Sequence, residues 1–132
     1  MDRSIALCPF DRLREGEAIG FDPFGTGRDT LFVLLHRGEV RVYRNSCPHL
    51  DVRLEYRKDR FLSADGQRVI CYAHGAQFMP DSGECVYGPC LGQSLTALEF
   101  AFEGGSLALR LDPHGQPIEV SRSAIGRIRG LD

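Results

Sequence analysis

Hydrophobic and polar residues alternate along much of the chain with the period of a β-strand. Residues 30–36, TLFVLLH, form a short apolar run that is rich in strand-forming side chains. Residues 39–45, EVRVYRN, alternate valine with larger or charged side chains. Arg37 and Gly38 lie between the two segments, as is typical of a tight hairpin turn. The pattern therefore predicts two antiparallel strands joined by a short turn.

Further strands are predicted by the same criteria. Residues 68–72, RVICY, follow the turn-forming sequence ADGQ. Residues 95–102 and 106–111 flank the glycines of EGGS and predict a second hairpin. The main helical signal is one turn near Asp11, which Gly16 ends. An all-β fold of antiparallel strands follows from this distribution.

Length and composition are those of a single globular domain. The 132 residues are 42% hydrophobic and 26% charged, enough to bury a core without disulfide bonds. No composition shift marks a linker, so we expect one domain over residues 1–132. Residues 121–132 have no strong periodicity, and we expect them to be partly mobile.

Charge and hydropathy exclude several classes of partner. The net charge is −2 and no long basic run is present, which argues against nucleic-acid binding. No apolar run approaches the roughly 20 residues of a membrane helix, and the first residues do not resemble a signal peptide. We therefore expect a cytoplasmic protein with no membrane partner. Five cysteines in a reducing compartment favour metal binding over disulfide bonds.

Two Cys/His pairs are the candidate metal ligands. Cys47 and His49 form a C-x-H motif, and Cys71 and His74 form a C-x-x-H motif after 21 intervening residues. Two thiolates and two imidazoles suit a tetrahedral zinc ion, or a [2Fe–2S] cluster with cysteines on one iron and histidines on the other. Each pair mixes the two ligand types, which a binuclear cluster accommodates naturally. A zinc site remains the alternative at this point.

The segments CPHL, CYAHGAQF and SGECVYGPC together resemble the Rieske [2Fe–2S] proteins. The resemblance is greatest to the small soluble Rieske-type ferredoxins that serve bacterial oxygenases. It implies that Cys47 and Cys71 hold the inner iron, and that His49 and His74 hold the outer, solvent-facing iron. It also implies that residues 88–89, Gly-Pro, belong to a third loop that covers the cluster.

The resemblance further implies an antiparallel Rieske fold, in which a base domain carries a smaller cluster-binding subdomain, here about residues 45–91. Asp51 occupies a position where the family often has glycine. The 21-residue gap between the Cys/His pairs is also longer than the commonest one, with the surplus expected in residues 59–67.

The same resemblance implies a one-electron carrier. Its donor would be a flavin-dependent reductase and its acceptor a terminal oxygenase. The chain has no G-x-G-x-x-G dinucleotide motif and only one metal constellation, so we expect no enzymatic activity of its own. The alternative is a zinc-stabilised or cluster-free interaction subunit, similar to the small subunit of an assimilatory nitrite reductase.

Cys85 and Cys90 form a C-x₄-C pair beside the third loop. They could join Cys47 and Cys71 in an all-cysteine cluster, or form a redox disulfide. We favour a third interpretation, in which both are small residues packed near the cluster, because the histidines already complete the ligand set and cytosolic disulfides are rare.

Neighbouring residues predict a low reduction potential. High-potential members of the family have a serine and a tyrosine where this chain has Ala76 and Phe78. They also have a disulfide between the positions of Val52 and Ala73. Hydrogen bonds to the sulfurs stabilise the reduced cluster, so their loss favours the lower part of the range of roughly −150 to +300 mV.

A partner must reach the edge of the cluster for electron transfer. We expect an apolar collar of Leu50, Ala76 and Pro89 around the histidine ligands, forming a small transient interface.

Overall fold

Eleven β-strands form the framework of the part of the chain that the computed structural model describes, residues 3–48 and 50–120. The strands are β1 (Arg3–Pro9), β2 (Glu17–Phe21), β3 (Leu31–His36), β4 (Glu39–Arg44), β5 (Val69–Cys71), β6 (Ala76–Phe78), β7 (Cys85–Tyr87), β8 (Ala97–Leu98), β9 (Phe100–Glu103), β10 (Ser106–Leu111) and β11 (Glu119–Val120). One 3-10 turn, Phe10–Arg12, lies where a single helical turn was expected. The described residues contain no α-helix, and all strand pairs are antiparallel.

The predicted central hairpin is confirmed. Strands β3 and β4 pair from Leu31 opposite Arg44 to His36 opposite Glu39. Arg37 and Gly38 join them with φ angles of 53° and 75°. Positive φ at both turn residues is the requirement of the type I′ turn, whose twist matches that of the strands.

The central sheet has the strand order β11-β8-β4-β3-β2 and is buried on both faces of β3. Leu31 and Val33 lie in one hydrophobic cluster, together with side chains of β10. Phe32 and Leu34 lie in the other, together with side chains of the small sheet β5-β6-β7. Burial on both faces explains why this strand is a continuous apolar run in the sequence.

The third sheet has the order β1-β10-β9. The predicted hairpin around EGGS is confirmed as β9 paired with β10. However, the prediction of one strand over residues 95–102 is wrong, because β8 joins the central sheet whereas β9 joins the outer one. The sequence also did not predict β1 and β2. Strand β1 is stabilised by pairing with β10, about a hundred residues away, which no local pattern reveals.

The small sheet β5-β6-β7 is attached to the central sheet through buried aromatic side chains. The rings of Phe32 and Phe61 stack with centroids 4.2 Å apart. The hydroxyl of Tyr43 donates a 2.8 Å hydrogen bond to the carbonyl of Pro80, in the turn after β6. These contacts hold the segment before β5 and the turn after β6 against the central sheet.

Two earlier expectations concern residues outside the described part of the chain: those for His49 and for residues 121–132. The division into a base domain and a subdomain over residues 45–91 remains a prediction. No helix among the described residues is long and apolar enough to cross a bilayer.

Candidate metal centre

The loop after β4, residues 45–54 (loop one), carries Cys47 and is held at both ends by Asn45. The Asn45 side-chain amide donates to the carboxylate of Glu55 at 2.9 Å. Its carbonyl oxygen accepts a 2.8 Å hydrogen bond from the backbone N–H of Leu54. Asn45 and Glu55 are both buried, so these bonds are shielded from water. They fix the two ends of the loop relative to each other.

Asp51 occupies the position where glycine was expected from the resemblance. It adopts the backbone conformation that glycine favours. Its φ is 52°, in the left-handed region, which Asp tolerates better than most side chains. The N–H of Asp51 donates a 2.7 Å hydrogen bond to the carbonyl of Cys47. The N–H of Cys47 donates a 2.7 Å hydrogen bond to the carbonyl of Val52. The hydroxyl of Ser46 donates to the Asp51 carboxylate. Loop one therefore closes into a tight turn around Cys47.

The second ligand loop, residues 71–76 (loop two), joins β5 to β6. Cys71 pairs with Ala76 across the two strands, and the N–H of Gly75 donates to the carbonyl of Cys71 at 2.7 Å. The N–H of Tyr72 donates to the carbonyl of Leu54 at 3.0 Å, which connects loop two to loop one. Cys47 and Cys71 are thus carried by neighbouring loops.

The third loop, residues 87–93 (loop three), packs tightly against loop two. A Cβ atom added at Gly88 would lie 2.8 Å from the Cα of Ala76, closer than real side chains approach. Gly88 also has a φ of 103°, a conformation that other residues rarely adopt. The glycine is therefore required both for the turn and for the contact.

Cys47 and Cys71 are brought together at the base of these loops. Both are fully buried, and the Cys47 side chain lies near enough to Cys71 to raise the pKa of its thiol. Burial raises the pKa of the Cys71 thiol, while the N–H groups of Ala73 and His74 beside the sulfur lower it. His74 itself is exposed at the surface. His49 lies outside the described residues.

Cys90 of loop three contacts Cys47 of loop one. Its Sγ lies 3.8 Å from the Sγ of Cys47, and both residues are fully buried. Burial, together with Cys47 and Cys85, raises the pKa of Cys90 to about 12. Cys85 donates its S–H to the carbonyl of Tyr87 at 3.4 Å. Both Cys85 and Cys90 are free, buried thiols.

The donor set fits half of a cluster with mixed ligands. Two neighbouring buried cysteines, Cys47 and Cys71, suit the cysteine-bound iron, and the exposed His74 follows on the same loop as Cys71. Within residues 3–48 and 50–120, no group of three or more Cys, His, Asp and Glu side chains could hold a metal ion. The fourth residue of the expected set, His49, is outside those ranges.

The prediction of an apolar collar formed by Leu50, Ala76 and Pro89 is only partly correct. Leu50 is 52% exposed, and Pro89 is also exposed. Ala76 is fully buried beneath Gly88, so its assignment to the collar is wrong. The contact between loops two and three, which local sequence does not reveal, covers it.

A protein-family model for the Rieske [2Fe–2S] domain matches residues 3–109. The chain belongs to the Rieske [2Fe–2S] domain family. Its cofactor is a [2Fe–2S] cluster, and the zinc alternative is set aside. Iron–sulfur clusters of this type change oxidation state, so membership supports an electron-carrying protein.

Solved structures share the fold of this Rieske protein. The ferredoxin of carbazole 1,9a-dioxygenase from Nocardioides aromaticivorans IC177 is 21% identical, with a TM-score of 0.60 over 80% of this chain and 94% of that chain. The Sphingomonas yanoikuyae B1 ferredoxin is 24% identical, with a TM-score of 0.59 over 80% and 95%. A chain from the complex of reduced oxygenase and oxidized ferredoxin in carbazole 1,9a-dioxygenase is 19% identical, with a TM-score of 0.61 over 80% and 90%.

At these identities the similarity establishes the Rieske fold. No protein of curated function matches the chain. The function of this Rieske protein is therefore inferred from the arrangement of loops one, two and three.

Proposed function

We propose that this Rieske protein is a one-electron carrier that receives electrons from a flavin-dependent reductase and passes them to a terminal oxygenase. The observation that carries the proposal is the arrangement of buried Cys47 and Cys71 beside exposed His74. A carrier needs a cluster held away from water on one side and reachable by a partner on the other. When bound, the cluster accepts and releases a single electron.

The proposed ligands are Cys47, His49, Cys71 and His74. The two cysteines supply thiolates from the buried base of loops one and two. His74 supplies an imidazole at the surface end of loop two, and His49 is the matching imidazole of loop one. Cys85 is not a ligand in this proposal, because it lies in β7 and donates its S–H to Tyr87.

The partner would dock where the loops present apolar side chains next to His74. Leu50 in loop one is 52% exposed, and Leu91 in loop three is 65% exposed. Tyr87, at the start of loop three, is 63% exposed. Exposed large apolar side chains on the loops of a functional site are typical of transient protein interfaces. The oxygenase partner is further supported by the similarity to a chain from an oxygenase–ferredoxin complex.

The ligand set is tested by metal analysis and spectroscopy of anaerobically purified protein. We expect about two irons and two acid-labile sulfides per chain. Alanine at any one of Cys47, His49, Cys71 and His74 should abolish the cluster, whereas Cys85→Ala should retain it. A reduced-state EPR spectrum typical of four-cysteine ligation, or a colourless wild-type protein, would contradict the ligand assignment and favour a cluster-free subunit.

The carrier role is tested separately, by stopped-flow measurement of electron transfer with a flavin-dependent reductase and a Rieske oxygenase from the same genome. Reduction by the first and oxidation by the second are the expected results. A protein with the expected cluster that exchanges electrons with neither would refute the carrier role and leave the ligand assignment intact.

A further inference from the structure

Cys90 lies next to a proposed ligand without belonging to the ligand set. Its Sγ is 3.8 Å from that of Cys47, within hydrogen-bonding distance for two sulfur atoms, and either atom could donate. The two residues are 43 positions apart in the chain and both are fully buried. The contact therefore depends on the packing of loop three against loop one.

Ligation removes the ambiguity about the donor. A cysteine bound to iron is a thiolate and has no proton to donate. If Cys47 holds the cluster, only the thiol of Cys90 can donate across this contact. We propose that Cys90 is a positioning residue that donates its S–H to the Cys47 sulfur and so stabilises the reduced cluster. This inference rests on the proposed ligation by Cys47.

Cys85 is the competing acceptor, because its side chain also lies near enough to raise the pKa of the Cys90 thiol. However, Cys85 directs its own S–H to the carbonyl of Tyr87. A charged thiolate is a stronger acceptor than a neutral thiol. We therefore expect the Cys90 thiol to donate its hydrogen bond to the Cys47 sulfur.

The backbone holds Cys90 in position for this role. The N–H of Gln93 donates to the carbonyl of Cys90 at 2.9 Å, and the N–H of Cys85 donates to the carbonyl of Gln93 at 3.0 Å. Gly88 fixes the start of the same loop against Ala76. A donor held this way needs little rearrangement when the cluster gains an electron.

A hydrogen bond from Cys90 should raise the midpoint potential of the cluster, because the reduced cluster is the more negatively charged form. Reduction adds a negative charge to the cluster, and a hydrogen bond to a ligand sulfur stabilises that charge. Ala76 and Phe78 have no hydroxyl that could donate to the cluster. Cys90 supplies one donor from a different loop, so its removal should lower the midpoint potential.

The test is protein-film voltammetry at pH 7 on the cluster-loaded variants Cys90→Ala and Cys90→Ser. Cys90→Ala should decrease the equilibrium constant for reduction of the cluster by about threefold to tenfold. A tenfold decrease lowers the midpoint potential of a one-electron couple by about 59 mV. Cys90→Ser keeps a donor, so its midpoint should lie above that of Cys90→Ala. Cys8→Ala, in the other hydrophobic cluster, is the matched control and should leave the midpoint unchanged.

A second readout is spectroscopic. ENDOR of the reduced wild-type protein should detect an exchangeable proton that Cys90→Ala lacks, while the exchangeable protons of the ligand imidazoles and of the Ala73 and His74 N–H groups remain in both proteins. An unchanged midpoint and proton signal in Cys90→Ala would overturn the proposal. Loss of the cluster in both Cys90 variants, with Cys8→Ala intact, would also overturn it and make Cys90 a ligand. None of these results depends on a partner protein.

Discussion

The Cα of Gly88 lies so close to Ala76 that a methyl group added to it would come within 2.8 Å of the Ala76 Cα. Loop three is thereby held against loop two over the buried sulfurs. The contact gives the clearest stability prediction for the site.

Gly88→Ala should destabilise the protein by at least about 1–3 kcal/mol, because the new methyl group clashes with backbone and the φ of 103° is unfavourable for alanine. Urea unfolding and the rate of cluster bleaching measure the effect. Gly92→Ala is the control, since Gly92 also has a positive φ, of 89°, but has open space around its Cβ position. Equal losses in the two variants would show that the contact with Ala76 is unimportant.

Asp51 should tolerate only residues that accept a left-handed backbone. Asp51→Gly and Asp51→Asn should keep the cluster, because both adopt a φ near 52° at low cost. Asp51→Val should be destabilised by about 1–3 kcal/mol and lose the cluster faster. Thermal bleaching of the visible spectrum compares the three. A valine variant as stable as the glycine variant would contradict this account of loop one.

Leu50→Glu should slow electron transfer to the partner without bleaching the cluster. The exposed Leu50 side chain next to a proposed ligand would meet the partner, and a buried carboxylate there costs at least about 1 kcal/mol, equal to about a fivefold change in rate. Stopped-flow kinetics with the cognate oxygenase provide the measurement. Arg37→Gln changes the net charge equally at the far end of the β3–β4 hairpin and should transfer electrons at the wild-type rate.

Restoring hydroxyl donors should raise the midpoint potential. The wild-type protein is expected below about 0 mV, in the lower part of the Rieske range. Ala76→Ser combined with Phe78→Tyr should raise the midpoint by about 50–150 mV, the equivalent of roughly 1–3 kcal/mol of added hydrogen bonding to charge. A wild-type midpoint above about +100 mV would mean that Cys90 and the N–H groups of Ala73 and His74 already supply sufficient donors.

Glu15 should make stability depend on pH. The N–H groups of Gly38 and Arg37 donate to its carboxylate at 2.9 and 2.7 Å and lower its pKa from the ordinary value of 4.5. A pKa lower in the folded state stabilises the protein above about pH 4.5, and this contribution is lost as the pH falls through the folded value.

The measurement is the urea midpoint of the wild-type protein and Glu15→Gln between pH 7 and pH 3. The variant should be less stable at pH 7, and the difference should disappear toward pH 3. Glu17→Gln, on the neighbouring strand β2, controls for loss of a surface charge. A difference that persists unchanged at pH 3 would exclude the carboxylate as its cause.

Local patterns were sufficient where a structural feature depends on neighbouring residues. The β3–β4 hairpin followed from its alternation and its Arg-Gly turn, and the all-β class followed from the scarcity of helical signals. The Cys/His motifs suggested the family, which the match over residues 3–109 confirms. The roles of the individual ligands remain predictions.

Features that join distant segments could not be predicted in this way. Strand β1 depends on β10 for its pairing, and residues 95–102 divide between two sheets. A sequence window cannot reveal such partners, because hydrogen bonds between strands are satisfied by residues far along the chain.

The sequence by itself determined the strand-rich fold, the loops that carry Cys47 and Cys71, and the family. Only the tertiary structure decided that Asp51 adopts the conformation of a glycine, that Ala76 is buried under Gly88, and that Cys90 contacts Cys47 across 43 residues. The physical reason is that ligand types and turn residues are encoded locally. Burial and sulfur–sulfur contacts arise only when separate loops pack together.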